Sequence, residues 1–386
     1  MFKLDKTKEF NIIVINLDGL RRDKLHLCPA LKDLSKNSLY FSQMNTVAPY
    51  TFASLHAIVS GLYPSSNGVN AYYNMFRFKK NTITTISQLV KKLGYYTCCD
   101  VNSKSVMPEQ GYDEYIVYDE QTIDFSKRHS NLIKKLSKKK FFLFLQNTET
   151  HNNLVREIIE KDKEKSSDDE YFNSVEENDS IYNSHLPATD HYISTILDTL
   201  NELKISKNTV VIIFSDHGTS IGEKRGEKFY GVYVYDYTLN VFTIMYIPDQ
   251  TPKEVNVQCR TIDLFPTIAE IAGARKEQFD GKHGESLFSL IDNPDAEERE
   301  VFVETGGLYG PWPSPKKHNV FCVKLNQKKL IYNDTPGTWE FYDLENDPKE
   351  LNNLYSKNLE EIKFFKERLI NYFKENDIKT NLSYNY

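Results

Sequence analysis

Residues 209–218 read TVVIIFSDHG. The first six positions are apolar or β-branched with no polar interruption, the pattern of a strand buried on both faces of a sheet. Ser215, Asp216, His217 and Gly218 follow at once. In open α/β sheets that carboxyl-terminal edge is where ligands bind. The arrangement recurs twice. Residues 10–17 (FNIIVINL) lead into Asp18-Gly19, and residues 141–146 (FFLFLQ) lead into the polar stretch 147–153, NTETHNN.

Helical patterns separate these strands. Residues 29–36 carry Pro29 in a first turn. Residues 51–60 place small and apolar side chains at helical spacing and stop before Gly61, a natural C-cap. Residues 86–93 follow a capping box of Thr85 and Gln88 and stop at Gly94. Residues 186–204 form a long amphipathic pattern and 262–272 a shorter helix before Gly273, while 95–99 and 241–247 read as further strands. Alternation of this kind implies a mostly parallel sheet covered on both faces, an α/β/α sandwich. After about residue 293 the character changes. Residues 301–304, 320–325, 329–332 and 339–343 look like short antiparallel strands, closed by a helix over 358–374. The expected organisation is one large α/β domain over 1–292 and a small antiparallel subdomain over 293–386.

The bulk properties narrow the function. Lys and Arg number 48 against 54 Asp and Glu, a net charge of −6. That balance argues against a nucleic-acid binder, which needs a clustered basic excess. No apolar run approaches the roughly 20 residues of a membrane span. The opening residues are charged and lack the apolar core of a secretory signal. The five cysteines (Cys28, Cys98, Cys99, Cys259, Cys322) show no metal-finger spacing, and their odd number is a poor disulfide framework. Reduced thiols in a cytoplasmic protein are the expectation. Residues 157–180 are rich in Lys, Asp, Glu and Ser and predict a solvated helix or a mobile excursion. The sequence is silent on oligomeric state.

Chemistry gathers at the strand ends. Asp18 ends the first strand, Asp216 and His217 end the TVVIIF strand, and Thr51 opens a helix. Two carboxylates, an imidazole and a hydroxyl suit a divalent cation such as Zn or Mn. Such an ion would activate the Thr51 hydroxyl as a nucleophile. The helix start adds N–H groups that favour an oxyanion. Taken singly, each residue has an ordinary reading: Asp18 and Asp216 as turn residues, Thr51 as an N-cap. Joint placement on predicted strand ends is what favours a site.

These motifs resemble the sulfatase family of the alkaline phosphatase superfamily over nearly the whole chain. NIIVINLDGLRRD (11–23) is similar to the family's first strand and metal-binding aspartate. TFASLHAIVSGLYPSSNGV (51–69) is similar to its nucleophile helix, and TVVIIFSDHGTSIGEK (209–224) to its Ser-Asp-His-Gly segment. TIDLFPTIAEIAG (261–273), FDGKHGESL near Asp280 and FYDLENDPKELNNL (341–354) follow in the family's order. The resemblance implies an alkaline phosphatase-like sandwich and one divalent metal ion (Zn, Mn, Mg or Ca) on Asp18, Thr51, Asp216 and His217. It implies Thr51 as nucleophile and His151 as the group that contacts the ester or protonates its leaving oxygen. It offers Lys224 and Lys228 as contacts for the anion; Arg21, near Asp18 in sequence, is a further candidate whose ordinary reading is a surface arginine. Asp190 falls where the family has a helix-contacting aspartate, His56 where packing is expected, and His283 has no assigned role.

Two departures shape the expectation. Sulfatases of this kind use a formylglycine made from Cys or Ser within a Cys/Ser-x-Pro-x-Arg motif. Here Thr51, Ala53 and Leu55 stand at those places, and Gly19 replaces the second aspartate of an Asp-Asp pair. Threonine there resembles the phosphoglycerol and phosphoethanolamine transferases and the phosphodiesterase branch. The expected activity is therefore cleavage or transfer of a phosphate-type ester through a covalent phospho-Thr51, on a small-molecule or glycan substrate. The alternatives are a sulfuric ester hydrolase without formylglycine, a glycan-modifying transferase, and a catalytically silent anion- or partner-binding homologue.

Overall fold

Strand β1 (Asn11–Leu17) is buried at every position because a parallel neighbour flanks it on each side. A computed structural model of the protein describes residues 8–120, 122–162, 169–293, 296–307, 319–357 and 359–384. Around β1 the chain assembles β2 (Leu39–Asn45), β3 (Tyr96–Val101), β4 (Glu114–Val117), β5 (Phe141–Asn147), β6 (Thr209–Phe214), β7 (Asn240–Tyr246), β8 (Lys253–Val255) and the short β9 (Cys259–Arg260). They form a nine-stranded sheet in the order β4-β3-β5-β1-β6-β7-β2-β8, with β9 beside β2. Pairing is parallel except along β7, which runs antiparallel to both β6 and β2. The sheet is thus mostly parallel, as the alternating pattern implies.

Side-chain alternation along β1 divides the core in two. Ile12 and Val14 point to one face, with Phe142, Phe144, Ile212 and Phe214, against the helix Thr51–Ser60. Ile13, Ile15 and Leu17 point to the other, with Leu143, Leu145 and Ile213, against the helix Val175–Glu202. Each such fully buried side chain contributes about 1.5–3 kcal/mol through removal of apolar surface from water. The predicted caps are present. Gly61 ends its helix with φ +66°, and Thr85 and Gln88 form the capping box. The Asp190 carboxylate accepts from the backbone N–H groups of Ala30 and Leu31, both at 3.0 Å, and so caps the helix Pro29–Lys36.

The C-terminal strands are β10 (Val301–Gly306), β11 (Asn319–Leu325), β12 (Lys328–Asn333) and β13 (Thr338–Asp343), a separate antiparallel sheet in sequence order. Asn326 and Gln327, both at positive φ, make the two-residue turn between β11 and β12. The helix Leu359–Glu375 packs Phe365, Leu369 and Phe373 against Phe321, Leu330 and Phe341 of this sheet.

The structure also differs from the pattern reading. Strands β2, β4, β8 and β9 are too short or too irregular in alternation to stand out, and the helix Phe125–Leu136 is absent from that reading although Phe125, Ile133 and Leu136 keep helical spacing. The charged segment is helical where it is described: Glu149–Asp162, Asp169–Asn173 and the start of Val175–Glu202. Residues 163–168 lie outside the described set. The long helix begins well before residue 186. Pro187 mimics a helix start, yet the preceding turns are anchored by buried Tyr182 and Asn178. No helix among the described residues is long and apolar enough to cross a membrane. The five cysteines are buried free thiols.

A buried ion cluster ties the segments after β9 to one another. The Asp263 carboxylate accepts from the backbone N–H of Arg260 (2.9 Å) and of Glu285 (2.9 Å), and from the guanidinium groups of Arg260 (3.0 Å) and Arg299 (2.8 Å). Burial opposes its ionisation, but the two arginines outweigh burial and hold it below the usual carboxylate range. Asp263→Asn removes the counter-charge of buried Arg299 and leaves Arg260 with the exposed Glu285 carboxylate, and the expected loss in urea unfolding at pH 7 is about 3–5 kcal/mol. Because the folded-state pKa is depressed, this contribution is present above about pH 4 and fades as pH falls through the folded value. The difference between wild type and variant should therefore narrow in acid.

Candidate metal and ester-binding site

Parallel register brings the strand ends level. Leu17 pairs with Asn147, and Asn16 with both Gln146 and Phe214, so Asp18 and Asp216 emerge side by side. The Asp18 N–H donates to the Asn147 carbonyl at 2.9 Å. The helix beginning at Thr51 is fixed over them by Ser54, whose hydroxyl donates to the Asp216 carbonyl at 2.9 Å. Thr51 Oγ1 then lies 3.0 Å from His217 Nε2 and 3.3 and 3.4 Å from the two Asp18 oxygens. His217 Nε2 is also 3.7 Å from Asp18 Oδ1 and 3.7 Å from Asp216 Oδ2. All four residues are buried.

The donor set fits a divalent cation. His217 Nδ1 lies 2.8 Å from the Gly218 carbonyl, which can only accept. Nδ1 therefore carries the hydrogen and Nε2 turns a lone pair toward the cluster. Asp216 Oδ1 accepts from the Gly19 N–H at 3.3 Å, but Oδ2 is buried without a hydrogen-bond partner. Burial and the adjacent Asp18 charge push the Asp216 carboxyl up, with His217 and backbone hydrogen bonds acting against them. Two carboxylates pressed together away from water call for a cation. Among the described residues, Asp18, Asp216 and His217 are the group of metal-binding type whose ligand atoms lie within 4.8 Å of one another. Thr51 adds its hydroxyl.

Gly19 explains the missing second aspartate. Its φ is +66°, and a Cβ there would lie 2.7 Å from Thr219 Oγ1 and 2.9 Å from His151 Nδ1. The space a side chain would need is filled by His151. That histidine sits in the first turns of the helix Glu149–Asp162 rather than in a loop. Its ring centroid is 5.9 Å from that of His217, and Tyr230 lies against both rings at 4.9 and 4.8 Å. Burial lowers the His151 pKa to about 4 despite the nearby Asp18, so the ring is neutral at pH 7.

The three expected anion contacts have their charged ends engaged elsewhere. The Arg21 guanidinium binds both Asp23 oxygens at 2.9 Å, the Thr219 carbonyl at 3.0 Å, and Glu223. The Lys224 ammonium donates to the Glu350 carbonyl and lies 4.5 Å above the Tyr235 ring. The Lys228 ammonium lies 5.5 Å from the centre of the Tyr171 ring. His56 packs on Phe78 with Nδ1 2.7 Å from the Phe52 carbonyl, as expected for a packing residue.

Two residues at the site escaped the sequence reading. Gln146 Nε2 donates to Asp18 Oδ2 at 2.8 Å. Its signal was a polar residue in phase with Phe142 and Phe144 at the end of an apolar strand. Tyr230 carried no signal, because its position depends on a loop. Buried Glu227 gathers that loop by accepting from the N–H groups of Val232 and Tyr233, both at 2.8 Å, and from the Tyr237 hydroxyl at 2.6 Å.

Comparison with known proteins gives matches to family profiles, to curated relatives and to solved structures. The sulfatase family profile matches residues 11–274, and the profile of the N-sulphoglucosamine sulphohydrolase C-terminal region matches 226–375. The ulvan-active sulfatase of Formosa agariphila is 32% identical over 182 residues, 46% of this chain and 34% of that protein. Arylsulfatase K of Canis lupus familiaris is 29% identical over 187 residues, again 46% and 34%. The matched stretch thus spans about a third of each relative's own length. Two solved structures share the fold over most of both chains. One, held in complex with its substrate D-glucosamine-2-N,6-O-disulfate, has a TM-score of 0.75 at 17% identity and covers 96% of this chain and 98% of its own. The other, a phosphonate monoester hydrolase from Silicibacter pomeroyi, has a TM-score of 0.73 at 14% identity and covers 96% of each.

A cation held by this cluster stabilises the folded state by mass action. At a free ion concentration about 100-fold above Kd the gain is about 2.7 kcal/mol, and thermal melts of wild-type protein with added Zn or Mn should rise accordingly. Asp216→Ala should melt at the same temperature with and without metal. An equal rise in both proteins would place the ion elsewhere.

Proposed function

The chain belongs to the sulfatase family, and on that premise we propose that it is a metal-dependent hydrolase of a singly charged ester, a sulfate ester before any other, with Thr51 as nucleophile. The single observation that carries this reading is the position of Thr51 Oγ1, 3.0 Å from His217 Nε2 and within 3.4 Å of both Asp18 oxygens. A divalent ion bound there supplies charge neutralisation and a lowered pKa for the hydroxyl. Asp18, Asp216 and His217 would hold it. Thr51 loses its hydroxyl proton to solvent and forms the new bond to the ester's central atom, while the bond to the leaving oxygen breaks and that oxygen takes up a proton from water. His151 lies beside the cluster and donates a hydrogen bond to that oxygen. Water then cleaves the link to Thr51. Overall one water is consumed, one alcohol and one sulfate leave, and one proton goes to solvent.

Charge balance supports a monoanion. Two carboxylates and one divalent cation sum to zero, and His151 is neutral at pH 7. The charged ends of Arg21, Lys224 and Lys228 have partners outside the cluster. A doubly charged phosphate monoester would bring a second negative charge into a low-dielectric site with no further compensation from these groups. A second reading, a phosphodiester or phosphonate ester handled through phospho-Thr51, is favoured by Thr51 itself, since threonine does not supply the formylglycine aldehyde. The relatives support a carbohydrate sulfate as the first substrate class to try. One structural neighbour holds a disulfated glucosamine and one curated relative acts on ulvan.

Turnover of 4-nitrophenyl sulfate, bis-4-nitrophenyl phosphate, 4-nitrophenyl phenylphosphonate and 4-nitrophenyl phosphate, each with Zn, Mn, Mg or Ca, tests the proposal. The expected result is metal-dependent hydrolysis of a singly charged ester, with the phosphate monoester slowest. Thr51→Ala should lower kcat/KM at least about 1,000-fold, roughly 4 kcal/mol of transition-state stabilisation. Preference for the monoester, or full activity in Thr51→Ala, would sink the reading. For His151→Ala the expected loss is small with 4-nitrophenyl esters and about 100-fold or more with alkyl esters, whose leaving oxygen develops more negative charge and depends more on the hydrogen bond. Equal losses on both would remove His151 from that role.

A further inference from the structure

We infer that Gln146 is a positioning residue for the metal site, setting which oxygen of Asp18 faces the other ligands. The inference rests on the proposed metal role of Asp18. Among the described residues, the side chains that bond the Asp18 carboxylate are Thr51 and Gln146. Thr51 is the proposed nucleophile and cannot also serve as a fixed support. Gln146 Nε2 donates to Oδ2 at 2.8 Å, while Oδ1 lies 3.7 Å from His217 Nε2. One carboxylate oxygen is therefore fixed by the amide and the other lies on the His217 side, with Thr51 Oγ1 within 3.4 Å of both.

Gln146 is itself held. Its Oε1 accepts from the Asn102 N–H at 3.1 Å, so the amide is oriented with its nitrogen toward Asp18. Asn102 directly follows β3, the strand hydrogen-bonded to β5, so the support is built into the sheet. Gln146 is fully buried, which fixes its rotamer. An amide is suited to the task. It donates one strong hydrogen bond without bringing a positive charge that would compete with a cation for Asp18. Outer partners of this kind typically alter metal affinity 10–100-fold when removed.

The test uses the full chain and Co as the probe ion, comparing wild type with Gln146→Met and Gln146→Leu, which keep most of the volume and lose the donor. Affinity is read by competition with a chromophoric chelator, and geometry by the visible absorption of bound Co. Metal-free melting reports on the fold. The expected result is a Kd raised about 10–100-fold and a shifted absorption band, with metal-free melting near that of wild type. Wild-type affinity and spectrum in a folded variant, with binding abolished in Asp216→Ala, would overturn the positioning role and leave the metal site standing. Absence of Co binding by wild type would remove both. Failure of both variants to fold would assign Gln146 to the core instead, which also overturns the proposal.

Discussion

Asp18 and Asp216 project, both buried, from adjacent parallel strands, and their mutual repulsion is the constraint that the surrounding architecture serves. Parallel pairing of β1 and β6 puts the two carboxylates level. The helix over them delivers Thr51 and is pinned by Ser54 to the Asp216 carbonyl. His217 turns a bare nitrogen inward because its other nitrogen is occupied by a carbonyl. The buried Asp216 oxygen without a partner fits the same scheme. Low dielectric makes an uncompensated pair of this kind costly, and the donor set is of the kind that would hold a cation.

Much of this was legible in the sequence for physical reasons. Strands buried on both faces need unbroken apolar runs, and β1, β5 and β6 have them, so their ends located Asp18, Asp216 and His217. The helix opened by Thr51 was legible from small residues and Gly61. What was not legible depends on contacts between distant segments. β2 reads LYFSQMN, and its alternation is broken by a register shift between Phe41 and Met44. The fates of Arg21 and Lys224 are decided by Glu223 and the Glu350 carbonyl, and basic residues beside a metal motif give no hint of such partners. Tyr230 is placed by Glu227 through a loop, which periodicity cannot describe.

The C-terminal sheet contributes from a distance. Lys324 and Lys329 bind the Asp236 carboxylate at 2.7 and 2.6 Å, and Lys329 also reaches Glu350 at 2.7 Å. Glu350 accepts from the Asp236 N–H at 2.7 Å, and its carbonyl takes the Lys224 ammonium. Asp236 opens the short helix that precedes β7, and Tyr237 beside it binds Glu227. Hydrogen bonds and ion pairs, joined through the backbone between Asp236 and Tyr237, therefore link the second sheet to the loop that lays Tyr230 over the two histidines. The proposed division at residues 292 and 293 would separate two units that share this polar seam.

Gly19 has a consequence for how the site can change over time. A carboxylate at this position would have to enter volume already taken by the His151 ring and the Thr219 hydroxyl, from a backbone angle that side chains rarely adopt. Restoring the second aspartate by a single codon change is therefore blocked, and so is a bulkier replacement for His151 while its neighbours stay put. Positions 19 and 151 are sterically coupled: a side chain at the first needs the ring at the second to give way. Lineages carrying the Gly19–His151 pair would be expected to keep both or lose both.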